Sequence, residues 1–141
     1  TVSHEPGVTS FVFADSVRTG WVTALNPGKR LLVGYTWDVS EYPWLNIWRN
    51  VKDGNPVARG MEFGTTGLHQ PFTALVAKRE IFGAPLYEYI DAGQTIAKSY
   101  TLFLAETPES FDGVGEISMK NGTIVIRERG ERGRTITVEG R

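Results

Sequence analysis

At 141 residues, with 40% hydrophobic and 22% charged residues, the chain has the make-up of an ordinary globular domain and is long enough to bury about two-thirds of its unfolded surface. Its 15 basic and 16 acidic residues leave a formal net charge of -1, which excludes the strongly basic balance of nucleic-acid and anionic-membrane binders. The absence of cysteine excludes disulfides, thiolate metal sites and a cysteine nucleophile, and no apolar run approaches the roughly 20 residues of a membrane-spanning helix.

Residues 1–10 carry neither the basic nor the apolar region of a signal peptide, and the compartment is left open. Beyond them, short β-branched and aromatic runs alternate with the 16 glycines and 7 prolines, a pattern of strands and turns. Strands are predicted over residues 10–14, 20–25, 30–38, 45–50, 58–63, 86–90, 95–104, 115–119, 123–128 and 135–139. No segment has the periodicity of a long amphipathic helix. Asn26-Pro27-Gly28-Lys29 suits a type II turn between two strands, and Asn121-Gly122 supplies the two positive φ values of a type I′ hairpin turn. The charged tail from residue 130 and the opening residues 1–9 are expected to be mobile or to form edge strands. Closely spaced strands without intervening helices predict an all-β fold, a single antiparallel β-sandwich domain over residues 1–141.

Chemistry is concentrated in two stretches. In residues 58–72, ARGMEFGTTGLHQPF, strand alternation puts Gly60, Glu62 and Gly64 on one face and Arg59, Met61 and Phe63 on the other. Glu62 then stands on a floor without neighbouring side chains, open to the close approach of a flat polar ligand such as a sugar ring, or else is a solvated glutamate on a bulged edge strand. His69 and Gln70 follow on the glycine-containing loop; His69 either exchanges protons near Glu62 or satisfies the loop backbone. His4, in the opening stretch, carries little weight, and two histidines are too few for a histidine-rich metal site. No metal site is expected.

The second stretch is TWDVSEYPWLNIWRN, with Trp37, Asp38, Trp44, Trp48 and Arg49 within a few residues. Aromatic faces stack on the apolar face of a pyranose while acids, amides and guanidinium groups hold its hydroxyls. Alternation sets Asn46 and Trp48 on one side and Leu45, Ile47 and Arg49 on the other, so part of the cluster belongs to the core. P-loop, nucleophile-elbow and H-E-x-x-H motifs are absent.

Glu62, its spacing and the later segment YEYIDAGQTIAKSYTLFL resemble the galactose mutarotase-like superfamily, which includes the aldose 1-epimerases. There a strand carrying the catalytic glutamate is followed by a leucine-x-proline-glycine-glutamate turn and a long alternating strand. Here residues 90–94 stand for the turn, with Ala92 and Gln94 in place of its proline and glutamate, and residues 99–104 for the strand. The upstream WVTALNPGKRLLVGYTW fits the preceding strands, so the likeness covers residues 21–104. It implies part of a supersandwich fold and a carbohydrate or oligosaccharide ligand, with Trp37, Asp38, Trp44, Trp48, Arg49, Arg59 and Gln70 as candidate contacts. By the same likeness Glu62 is the base that takes the anomeric hydroxyl proton of an aldose and His69 the acid at the ring oxygen, with no cofactor. Only the second half of the family domain is represented, which implies a homodimer or pairing with a separate first half. The competing expectation is a non-enzymatic assembly module whose aromatic cluster packs a homodimer interface and whose Glu62 pairs with Arg59 or Arg49.

Overall fold

The computed structural model describes residues 5–131 and 133–140. In chain order the elements are β1 (Gly7–Val12), β2 (Thr19–Asn26), a 3-10 turn (Pro27–Lys29), β3 (Leu31–Asp38), β4 (Trp44–Lys52), β5 (Asn55–Gly64), α1 (Phe72–Lys78), β6 (Glu80–Ile81), β7 (Ala84–Pro85), β8 (Tyr100–Glu106), β9 (Val114–Lys120), β10 (Thr123–Glu128) and β11 (Thr135–Glu139). The fold is all-β and antiparallel, and the chain divides into two compact units. One comprises residues 1–20 and 37–99, the other residues 21–36 and 100–141.

The second unit is a small sandwich. One sheet has the order β2-β3-β8 and the other β11-β10-β9. Alternation along β3, β8, β9 and β10 turns Leu32, Phe103, Ala105, Ile117, Ile124 and Ile126 into a common core, with Trp21 and Leu25 packed against it. The β9–β10 hairpin closes through Asn121 at φ 52° and Gly122 at φ 78°, the type I′ geometry expected of Asn-Gly. The turn between β2 and β3 departs from expectation. It is 3-10 rather than type II, because the Asn26 side chain accepts from the Lys29 amide and the left-handed residue is Arg30, at φ 52°.

This unit also holds an ion pair between a buried acid and a half-buried arginine. Glu128, at the end of β10, takes Arg134 Nε on Oε2 at 2.6 Å, and both Arg134 Nη2 and the Asp112 amide on Oε1. Arg134 donates onward to the carbonyls of Glu109 and Ser110. Residues 109–112 are thereby fastened to the β10–β11 connection. The Arg134 hydrogen bond, opposed by burial and helped by the Asp112 amide, holds the Glu128 carboxyl at about 2, far below its ordinary 4.5.

The first unit is built on a sheet of order β1-β4-β5, antiparallel throughout. On the face shared by Phe63, four aromatic rings pack together. Trp37 stacks on Phe63 at 4.3 Å, with Phe13 and Tyr42 edge-on, and Trp37 Nε1 donates to the Tyr42 carbonyl. The opposite face is covered at one end only, where Trp44 meets Leu75 of α1 and Leu86. Leu75 is the buried residue of this helix, whose Phe72 and Lys78 stay in solvent.

Two expected elements differ here. Residues 86–90 form no strand: Leu86 is buried, Tyr87 packs half-buried against the same core, and the exposed Tyr89 meets the Tyr87 ring instead of a ladder partner. The strand expected from residue 95 begins at Tyr100. Before it, the Gln94 amide bonds the Asp91 carbonyl with Gly93 at φ 79°, so residues 91–94 do make a turn. At the chain ends, β1 and β11 are edge strands of their sheets.

Candidate functional site

The uncovered end of the β1-β4-β5 face is where the candidate residues gather. Register pairs Val8 with Trp48 and Trp48 with Gly60, and likewise Ser10 with Asn46 and Asn46 with Glu62. These residues therefore share one face, in two rows across three strands. The register shift in β4–β5 lies between Asn50 and Val51, away from Glu62, so β5 is an edge strand but is not bulged at the candidate acid.

The glycine floor is not empty. A Cβ placed on Gly60 would stand 2.9 Å from Glu62 Oε1, and 3.4 and 3.6 Å from Cβ and Cε3 of Trp48. The Glu62 side chain folds back over Gly60, into space only glycine leaves, and its carboxylate comes to rest beside the tryptophan. Glu62 is exposed and forms no hydrogen bond or ion pair among the described residues. The pairing with Arg59 or Arg49 is not made, because strand alternation points both arginines to the other face. There Arg49 donates to Thr9 Oγ1 and the Glu5 carbonyl.

The loop of residues 65–71, between β5 and α1, folds over this face and supplies the rest of the site. Gly67 is buried against the Trp44 ring so closely that any Cβ would enter the indole. Asn46 Nδ2 donates to the Thr66 carbonyl at 3.2 Å, and Asn46 Oδ1 is buried without a partner among the described residues. The loop is thus pinned at two points, and it presents His69 and Gln70 beside Trp48. Gly7, Val8, Ser10, Trp48, Leu68, His69 and Gln70 line one open cleft of about 510 Å³.

The fates of the three clustered tryptophans differ. Trp37 and Trp44 are 3% and 2% exposed and are core residues, so neither has an open ring face, whereas Trp48 is 38% exposed. Asp38 is also elsewhere. Its carboxylate accepts from both the amide and the hydroxyl of Ser40, which pull its pKa below the ordinary value with help from Arg18, and it lines a separate cleft with Arg18 and Phe82. Of the expected contacts, Trp48, His69 and Gln70 line one cleft, and Glu62, which is not part of its lining, stands beside Trp48 on the same side of the sheet. Trp37, Asp38, Trp44, Arg49 and Arg59 do not join them. His4 lies outside the described residues.

Ser10 and Leu68 are site residues that sequence reasoning did not single out. Alternation had placed Asn46 with Trp48, but only register across β1 could bring Ser10 opposite Asn46. Among the described residues, no group of three or more His, Asp or Glu side chains could hold a metal ion. Comparison with protein-family models, with curated proteins and with solved structures finds no match to this chain.

Proposed function

We propose that the open face of the β1-β4-β5 sheet binds a carbohydrate ring. The observation that carries this reading is the free Glu62 carboxylate folded over Gly60 beside the exposed Trp48. An indole face offers stacking to the axial C–H groups of a pyranose, and an unengaged carboxylate accepts from two adjacent hydroxyls. Ser10, His69 and Gln70, on the cleft wall, add donors and acceptors at the rim.

The same groups can serve an aldose 1-epimerase. Glu62 takes the proton of the anomeric hydroxyl as the C1–ring-oxygen bond breaks, and protonated His69 gives its proton to the ring oxygen. Bond rotation and the reverse transfers close the other anomer, with no net change in the two side chains. Exchange NMR on a panel of aldoses tests this step. Glu62→Gln should abolish interconversion with the thermal midpoint within a few degrees of the parent, and a parent protein inert on every aldose ends the catalytic reading. Binding is tested separately by tryptophan fluorescence. Trp48→Ala should weaken sugar binding about tenfold, in line with roughly 1–3 kcal/mol for a stacked ring.

A second reading, assembly, is favoured by a different observation. In the sandwich unit, Tyr100, Leu102 and Leu104 are 56%, 57% and 61% exposed along β8, an edge strand whose opposite face is already in the core. An apolar stripe of this kind on an edge strand suits a second copy of the chain, in place of the aromatic cluster around Trp37, which is internal. Light scattering on the parent and on Leu102→Asp tests it: a dimer that dissociates in the variant supports assembly, and a monomeric parent removes it.

A further inference from the structure

The wall that closes the first cleft also closes a second. Leu68, His69 and Gln70 line the cleft containing Trp48, and the same three residues, with Thr66 and Pro71, line another of about 480 Å³. The two clefts therefore adjoin, with His69 and Gln70 between them. Each is large enough to admit a hexose ring, and neither is enclosed.

Beyond Pro71 the surface becomes aromatic. Phe72, the first residue of α1, is 56% exposed, and Tyr89 is 61% exposed. Their rings lie 6.3 Å apart, edge to face, and each also meets Tyr87, at 6.0 and 5.0 Å. Tyr87 packs on the Trp44–Leu75–Leu86 core and so fixes the position of the other two. Rings kept in water by contact with each other, on an anchored base, form a rigid stacking platform whose ordering cost is already met by folding.

We propose, building on the carbohydrate reading of the Trp48 cleft, that the ligand is an oligosaccharide of at least two units. One ring lies on Trp48 beside Glu62. The next occupies the Thr66–Pro71 cleft, and the chain runs on toward Phe72 and Tyr89. His69 and Gln70, shared by both clefts, face the linkage and the hydroxyls on either side of it. A monosaccharide would use only half of this track.

Titration calorimetry with glucose, galactose and mannose, and with their α-1,4- and β-1,4-linked di- and trisaccharides, tests the arrangement. In at least one series the trisaccharide should bind about tenfold more tightly than the monosaccharide, as expected for one added stacked ring. Phe72→Ala and Tyr89→Ala should each remove most of that gain while leaving the monosaccharide Kd unchanged. Equal affinity for one and three units, or a gain that survives both substitutions, would overturn the extended site while leaving the Trp48 cleft intact. Binding of no saccharide of any length would overturn both. Saturation-transfer NMR on the parent protein gives an answer that needs no variant. Comparable saturation on the protons of two successive rings is expected, and saturation confined to one ring overturns the proposal.

Discussion

Glu62 and Glu128 are both strand glutamates, one in each unit, and they meet opposite surroundings. Glu128 is buried and its two oxygens take three donors, two from Arg134 and one from the Asp112 amide. Glu62 is exposed, lies over a glycine and takes none among the described residues. A buried carboxylate with both oxygens engaged fixes the loops around it and is closed to a ligand. One held beside an aromatic face without a donor has its hydrogen-bonding capacity left for a ligand. The contrast separates a group that holds the fold from one that can work on it, and neither sequence neighbourhood shows it.

The sharpest way to break the contrast is to remove the donor of the buried acid. Arg134→Ala leaves Glu128 charged and buried with one amide partner, and should lower the thermal midpoint by roughly 10 °C or more. The cleft of the other unit is lined by different residues, so sugar affinity at temperatures well below the new midpoint should be unaltered. Acid gives the next largest effect. Because the folded carboxyl sits at about 2 against an ordinary 4.5, the contribution of Glu128 is present in full above about pH 4.5 and is lost as pH falls toward 2. Urea midpoints of the parent and of Glu128→Gln should therefore differ most at pH 6, and the difference should shrink steadily as the pH is lowered from 4.5 toward 2. A constant difference across that range would show that the acid is not held down by its partner.

On the side of the free acid, smaller effects are expected. Gly67→Ala drives a methyl into the buried Trp44 ring and should cost about 1–3 kcal/mol, with weakened sugar binding as the loop carrying His69 and Gln70 is displaced. Gly60→Ala is the mildest change. The atom it meets is the end of the flexible Glu62 side chain, which can swing away, so stability should hold within about 0.5 kcal/mol. Sugar affinity should nevertheless fall, because the carboxylate leaves its place beside Trp48. Unchanged affinity in Gly60→Ala would show that this place does not matter.

Much of the fold was legible in the sequence because it is written in local chemistry. Asn121-Gly122 demanded its hairpin, and β10 and β11 follow their period-2 pattern to the residue. Legibility failed where tertiary packing decided. Phe72–Lys78 is two helical turns, too short for a 3.6-residue period to declare itself, and it is helical because Leu75 reaches the Trp44 core. Residues 86–90 have strand-like composition but no neighbouring ladder to join. Within the site, alternation correctly separated Trp48 from Arg49 and Glu62 from Arg59. It could not say that Trp44, on the same face as Trp48, would be buried under α1 and the 65–71 loop, because that depends on where a distant segment lands.

The division of the chain carries a practical meaning for anyone who wishes to cut it. The path leaves the first unit after Gly20, returns at Trp37 and leaves again after Ser99, and both β2 and β3 hold residues of each unit. No single break therefore separates one unit from the other. A truncation at residue 99 would strip β2 and β3 of β8, their sheet neighbour, and a start at residue 37 would discard β1 from the sheet that carries Glu62. Exchange of contiguous gene segments would face the same obstacle, since neither the unit that carries Glu62 and Trp48 nor the sandwich unit is one continuous stretch of chain.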